Sequence, residues 1–282
     1  MASFIDTPPT LSTWQIALGS LVLGGNSTQV DLTQVTGLGL PDVSSGDVQR
    51  PHDQGMFMGV DLMAGRTINI SLTIVHGSTP IQTILSEIAA VTSPQRPSNG
   101  FDSTNAEIPF WICLPTVGTV GAMVRCRKRD IPMDLGFSLG FVNVDLELVA
   151  TDPRLYSASR TITAASSITL TNSGNYETRP TYVVSGPTDY NWNITATRSG
   201  ERLGILTIYD DLDDSGMNIT IDSFARTLIS NVVRDSDDPT NRNWRSELIP
   251  GSTWWNIPPS TTMTIAVSGG TVSAIISDAW ML

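Results

Sequence analysis

Cysteine and histidine are nearly missing from this 282-residue sequence, at two of each, and charged residues make up only 15% of it. Cys113 and Cys126 are too few to staple a chain of this length, so free thiols and folding in a reducing compartment are expected. His52 and His76 lie at no metal-ligand spacing from another histidine, cysteine or carboxylate on one element. A zinc site and a nucleophile–histidine triad therefore have no footing. No glycine-rich loop joins a strand to a helix, which argues against nucleotide binding. No stretch approaches the roughly 20 apolar residues of a membrane helix, and no charged-then-apolar leader opens the chain. A soluble protein with no catalytic machinery, no cofactor and no membrane partner is expected. The four Asn-X-Ser/Thr sequons at Asn26, Asn69, Asn193 and Asn218 carry no weight without a secretory route.

Positive charge is also scarce, with 16 basic residues against 27 acidic and a net charge of −11. The imbalance is even: 8 basic and 14 acidic residues run up to Leu155, then 8 and 13 beyond it. Neither half reads as a basic nucleic-acid module, because an acidic surface repels the phosphate backbone.

What is abundant is turn chemistry, with 23 Gly, 17 Pro and many Thr, Ser and Asn around 40% hydrophobic residues. That mixture favours sheets and tight turns. The length exceeds what one core usually supports, so two domains are expected, 1–152 and 153–282. In the first, Thr67 to Val75 alternates apolar and polar residues, as do Ile108 to Leu114, Ala122 to Arg129 and Phe141 to Ala150. The run Gly55 to Leu62 reads as a short strand in a hairpin with Thr67 to Val75. One helix is expected, Pro80 to Val91, with Ile81, Ile84, Leu85, Ile88 and Ala89 on one face and Thr79 as its cap. This half is an α+β or β-sandwich layout. Beyond Tyr156 the helical period vanishes. Short strands recur at Ser167–Leu170, Pro180–Ser185, Trp192–Thr197, Leu203–Tyr209, Met217–Ile221, Arg226–Ile229, Met263–Val267 and Val272–Ile276, a second β-sandwich.

Four features could carry a site. Paired carboxylates would suffice for a glycosidase on a β scaffold, but the acids sit on polar strand faces and in turns, where solvated surface is the expected role. Asp211, Asp213, Ser215 and Asp222 match the ligand spacing of a calcium loop, although their flanks read as strands and a hairpin turn is expected instead. Arg125, Arg127 and Arg129 fall on one face of a regular strand, where nucleic-acid contact stands against the preferred reading of a solvated or inter-subunit face pairing with acids such as Asp145 and Glu147. Trp244, Trp254 and Trp255 could form a sugar-stacking platform, against the usual burial of large aromatics in a core or interface.

Taken in order along the chain, the strand and turn residues resemble the distal tail protein of siphovirus-type long-tailed bacteriophages. Gly55-Met56-Phe57-Met58-Gly59-Val60-Asp61-Leu62 with Gly65-Arg66 resembles the family's approach to an alternating strand. Thr151-Asp152-Pro153-Arg154-Leu155-Tyr156 resembles its interdomain signature. Asn172-Ser173-Gly174-Asn175 with Arg179-Pro180 resembles the opening of its second domain, and Trp254-Trp255-Asn256-Ile257-Pro258-Pro259 the approach to its last hairpin. Pro259-Ser260 stands where a Pro-Gly turn is commoner, and the polar segment Asp235 to Arg245 looks like an insertion. The resemblance implies a ring (belt) domain followed by a galectin-like or carbohydrate-module-like sandwich. It further implies a homohexamer at the virion tail tip, assembled in the host cytoplasm. Its partners would be the tail tube, tape measure, tail-associated tip and receptor-binding proteins, with DNA passing through the lumen unbound. A carbohydrate-binding adhesion module is the alternative.

Overall fold

The computed structural model describes residues 7–25, 29–51, 54–94, 107–131, 139–186, 191–209, 217–231 and 243–282. The protein is mainly β, with one α-helix among the described residues. Its described residues divide into two compact units, one of Pro8–Leu155 with Met281–Leu282 and one of Tyr156–Trp280 with Thr7.

The first unit begins with β1 (Ile16–Leu18), β2 (Leu21–Leu23) and β3 (Val30–Thr36). Four two-residue strands follow, β4 (Val43–Ser44), β5 (Val48–Gln49), β6 (Met56–Phe57) and β7 (Leu62–Met63). Then come β8 (Arg66–Val75), α1 (Ile81–Thr92), β9 (Ile108–Leu114), β10 (Gly118–Asp130) and β11 (Phe141–Ala150). Its antiparallel order is β2-β1-β9-β10-β11-β8-β3. β8 and β11 pair over their full ten residues, so Ile68, Ile70, Leu72 and Ile74 meet Val142, Val144, Leu146 and Leu148 on the buried face. Thr67 to Thr73 and Asn143 to Glu147 alternate onto the other face, where Thr73 Oγ1 donates to Asn143 Oδ1 (2.9 Å) and Ser71 Oγ to Asp145 Oδ1 (2.6 Å). β10 belongs to two neighbours in turn, to β9 through Gly118–Val124 and to β11 through Arg125–Asp130.

α1 buries Ile81, Ile84, Leu85 and Ile88 as its period requires. Its start differs from expectation. Pro80 is the N-cap and no side chain caps it. The turn before it is held by Gln29, which accepts the Thr79 N–H on Oε1 (2.7 Å) and donates Nε2 to the carbonyls of Val75 and Thr79 (3.2 and 3.0 Å). An amide with both donor and acceptor does what a threonine hydroxyl could not do for two carbonyls at once.

The chain passes to the second unit within β12 (Leu155–Ser157). β13 (Arg160–Ala165), β14 (Ser167–Asn172), β15 (Thr181–Ser185), β16 (Asn191–Arg198), β17 (Glu201–Tyr209), β18 (Asn218–Asp222), β19 (Thr227–Ser230), β20 (Thr261–Val267), β21 (Thr271–Ile276) and β22 (Ala279–Trp280) follow. β13 to β21 build a five-stranded sheet, β13-β21-β15-β18-β19, and a four-stranded one, β14-β20-β16-β17, around one core, while β22 pairs with β12. The segment 243–257 closes both far edges. Trp244 N–H donates to Leu228 O (2.9 Å), and Ile249 and Thr253 N–H to Thr207 O and Ile205 O (2.9 and 2.7 Å). No bare ladder remains along β17 where it is so covered.

Candidate assembly surface

Between β3 and β8 the chain leaves the body of the first unit as an arm, residues 37–65. Val43 and Ser44 pair with Met63 and Leu62, and Val48 and Gln49 with Phe57 and Met56. Met56–Phe57 therefore pairs upstream with β5 and not with β8, which corrects the hairpin expected from the sequence. The two ladders are separated by a crossing where Gly59 lies against the Gly46 backbone so closely that a Cβ on Gly59 would clash with it. Asp47 locks the crossing by accepting the Gly59 N–H on Oδ1 (2.8 Å), while its own N–H donates to Ser45 Oγ (3.2 Å). The Gly59 N–H holds the Asp47 carboxyl below its usual value, with the Ser45 side chain as a smaller cause. Further out, the Arg50 guanidinium lies 5.1 Å from the Phe57 ring centre.

The arm's root is fixed by Arg66, which is 1% exposed. Its Nη1 faces the carbonyls of Gly37, Leu38 and Gly39 (2.9, 2.5 and 2.7 Å), its Nε donates to Pro153 O (2.8 Å), and its Nη2 reaches Met281 Sδ at 3.6 Å. Burial pushes this guanidinium below its ordinary value and Asp152 opposes the shift. The planar fork serves several carbonyls at once, which a lysine could not do. Gly37 has φ +82° and packs on the Thr67 carbonyl where a side chain would not fit, so the Gly-Arg pair at 65–66 and the glycine at 37 form one joint.

Beyond that joint the arm inverts the usual burial rule. Met56, Phe57, Met58, Val60 and Leu62 are exposed at 55, 57, 90, 75 and 65%. Scattered exposed apolar residues are ordinary, but a contiguous set on a projecting hairpin marks an interaction surface. The sequence carried a signal for it: Met-Phe-Met flanked by glycines, apolar yet without an inward period.

The other expected positions fall elsewhere. Asp152 Oδ1 accepts the Arg154 N–H (3.1 Å) and lies 3.6 Å from Arg154 Nη1, forming a tight turn that presents the Pro153 carbonyl to Arg66. Thr151 Oγ1 lies 3.5 Å from Glu107, and Leu155 is fully buried. Tyr156 opens the second unit. The signature is thus structural in its first part, supplying an acceptor to the arm's root.

The basic run is not a single stripe. Arg127 is the extra residue of a bulge, so Arg125 stands opposite Val149, Lys128 opposite Glu147 and Arg129 opposite the buried Leu146. Arg129 turns to the C-terminal end of α1, donating to Ala89 O (3.2 Å) and Ser93 Oγ (3.3 Å), where a cation also meets the negative end of the helix dipole. Arg125 pairs with Glu107 at 3.4 Å.

Trp244 and Trp255 are 1% and 6% exposed in the core of the second unit, and Trp254 is half-buried against it. Trp255 Nε1 donates to Tyr182 Oη (2.9 Å), and burial pushes the Tyr182 phenol up. Trp244 and Trp255, so enclosed, have no free face for a sugar ring. Asp211, Asp213, Ser215 and His52 lie outside the described residues. Asp222 accepts the N–H groups of Phe224 and Ala225 and turns the chain between β18 and β19. No group of three metal-ligating side chains occurs among the described residues.

No family model and no curated protein matches the chain. Among solved structures it is similar to the SPP1 Dit (gp 19.1) protein, a hub adsorption apparatus protein of Gram-positive infecting phages. The TM-score is 0.59 at 11% identity, over 95% of this chain and 99% of that one. The phage P2 baseplate in its activated conformation, with Ca and with Sr, aligns at a TM-score of 0.47 and 10% identity over 94% of this chain and 98% of that one in both cases. The first of these likenesses shows that the chain has the fold of that distal tail hub protein.

Proposed function

We propose that the chain is a structural, non-enzymatic phage tail hub protein. On this reading residues 1–152 form the belt domain of a homohexameric ring, and residues 153–282 form an outer, galectin-like sandwich. The ring joins the tail tube to the baseplate or tip and its receptor-binding proteins, with the tape measure and tail-associated tip proteins as neighbours and DNA passing through the lumen. The observation that carries it is the fold shared with the SPP1 hub protein over nearly the whole of both chains. The exposed apolar arm supports it, because a virion component is buried by its neighbours and a monomer is not. The net charge of −11 suits a channel that must not hold DNA. The reading is tested by electron microscopy of virions in which this chain carries a tag on its last residue. Label confined to the tail tip, with sixfold symmetry, is expected; label on the capsid or along the tube, or none on the particle, refutes it.

A further inference from the structure

Away from the arm, part of the first unit stands out by what it lacks. Neither Thr7 to Gly25 nor Ile108 to Val124 contains a charged residue, in a chain that averages 15% charged. The two stretches meet as β1, β2, β9 and the portion of β10 paired with β9, at one end of the sheet. β2 is the end strand. Its Leu21, Val22 and Leu23 pair with Leu18, Ala17 and Ile16, and among the described residues no backbone hydrogen bond reaches their outer side. Leu21 and Val22 are half-buried, so the edge is open to a partner. Edge strands are commonly guarded by a lysine, a proline or a bulge, and β2 has none of these.

Trp14 stands beside this edge, its carbonyl packed on Gly24, the residue that follows β2. Its φ is +62°, an outlier for a bulky side chain. The surroundings impose that conformation. Trp14 N–H donates to Cys113 O (2.8 Å), Gln15 N–H to Ser12 O (3.0 Å) and Cys113 N–H to Gln15 O (3.0 Å). The buried Gln15 side chain accepts the Ser12 N–H on Oε1 (2.7 Å) and donates Nε2 to Gly24 O (3.0 Å). Strain held in this way gathers at sites of binding, and here it turns outward an indole that is 52% exposed. We infer that β2 and Trp14 receive an uncharged, extended segment of a neighbouring tail protein, which adds a strand to the β2 edge and buries the Trp14 ring. Strand addition supplies main-chain hydrogen bonds and a tryptophan supplies the anchor. A charged segment would lose its hydration against β2 with no counter-charge to meet it. The inference rests on the hub reading above, in which the chain joins unlike proteins. A second copy is a poorer occupant: β3, the other end strand of the sheet, carries Asp31 and a bulge at Thr33, and two β2 edges would pair isologously and stop at two chains.

The test has two arms, both on the full-length chain. In the purified protein Trp14→Asn should leave the urea midpoint of the first unit unchanged or raised, because asparagine tolerates the left-handed conformation. A lowered midpoint would make Trp14 a packing residue and overturn its role as an anchor. In tagged virions a benzophenone photo-cross-linker in place of the exposed Ser20, beside β2, should join the chain to an uncharged segment of a different tail protein, identified by mass spectrometry. Trp14→Asn, and independently Val22→Lys, which sets a charge on the edge, should each lower that cross-link about tenfold or more. A cross-link only to another copy, to a charged segment, or to nothing overturns the inference, as does an unchanged yield in Val22→Lys. A labelled tail tip without the cross-link discards this contact and keeps the hub, whereas a chain missing from the particle refutes the hub reading and the contact with it.

Discussion

The second unit and the arm of the first handle their apolar residues in opposite ways. In the sandwich Trp192, Trp244 and Trp255 point inward, and the segment 243–257 hydrogen-bonds along both outer edges, so the chain completes its own surface. In the arm, two-residue ladders carry Met56, Phe57 and Met58 outward, with the root fixed at Arg66 and the crossing at Asp47. One region buries most of its large apolar residues; the other exposes them. The difference teaches that stability and assembly are assigned here to separate residues, and that separation can be attacked directly.

The largest effect is expected at Trp255→Ala. It empties the core and leaves the Tyr182 hydroxyl buried without its donor, so the second unit should lose about 3–5 kcal/mol. Urea unfolding followed by hydrogen exchange should place the loss in β14 to β21 and leave self-association unchanged. If the arm's exchange rates move as well, the separation is wrong.

Arg66→Ala comes next. Several part-buried carbonyls lose one shared donor at once; a fully buried unsatisfied group costs about 1–3 kcal/mol, so a loss within about 1–3 kcal/mol in the first unit is expected. Assembly should fail with it, because the arm loses its direction. Arg66→Lys should not rescue assembly, since one ammonium cannot span carbonyls on both Gly37–Gly39 and Pro153. Normal assembly by the lysine variant would show that charge, and not the fork, matters.

Most of the strands were legible because their apolar residues face inward at a regular period. Thr67–Val75 and Phe141–Ala150 are half-buried ribbons whose alternation survives in the structure, and α1 is displaced by one residue from its expected bounds. The three-residue strands β1 and β2 are too short to show a period, and Ile16, Ala17 and Leu18 are all buried. The bulge at Arg127 shifts every later residue of β10 to the opposite face, and no propensity announces it. The arm escaped for a different reason: apolar residues that face solvent carry no inward period, so the segment looks like a poor strand until its partner strands are known. The tryptophans were legible as large aromatics whose usual place is a core or interface, and Trp244 and Trp255 take it.

A smaller gain is expected at Ser260. The resemblance put Pro259-Ser260 where a Pro-Gly turn is commoner, and Ser260 adopts the left-handed conformation at φ +51° while donating its N–H to Gly174 O (3.2 Å). The turn is kept and the residue is the strained one. Ser260→Gly should therefore stabilise the second unit by about 0.5–1 kcal/mol, read as a raised urea midpoint, with assembly untouched. An unchanged or lowered midpoint would mean that glycine's extra freedom in the unfolded chain outweighs the strain relieved.

The smallest effect should be confined to the arm and visible only with pH. The Asp47 carboxylate has a folded pKa held below its unfolded value by the Gly59 N–H. Its contribution is then present in full above the ordinary carboxylate range and is lost as pH falls through the lowered value. Because the group is on a solvent-facing crossing, acid should free the Gly59 amide without melting either unit. Nuclear magnetic resonance of Gly59 should show its hydrogen-bonded shift at neutral pH and lose it on acidification, in step with weaker self-association, and Asp47→Asn should lack this pH response. If the Gly59 shift is already insensitive in the native chain, the crossing is held by its glycines alone, and the arm's shape is set by backbone packing without help from charge.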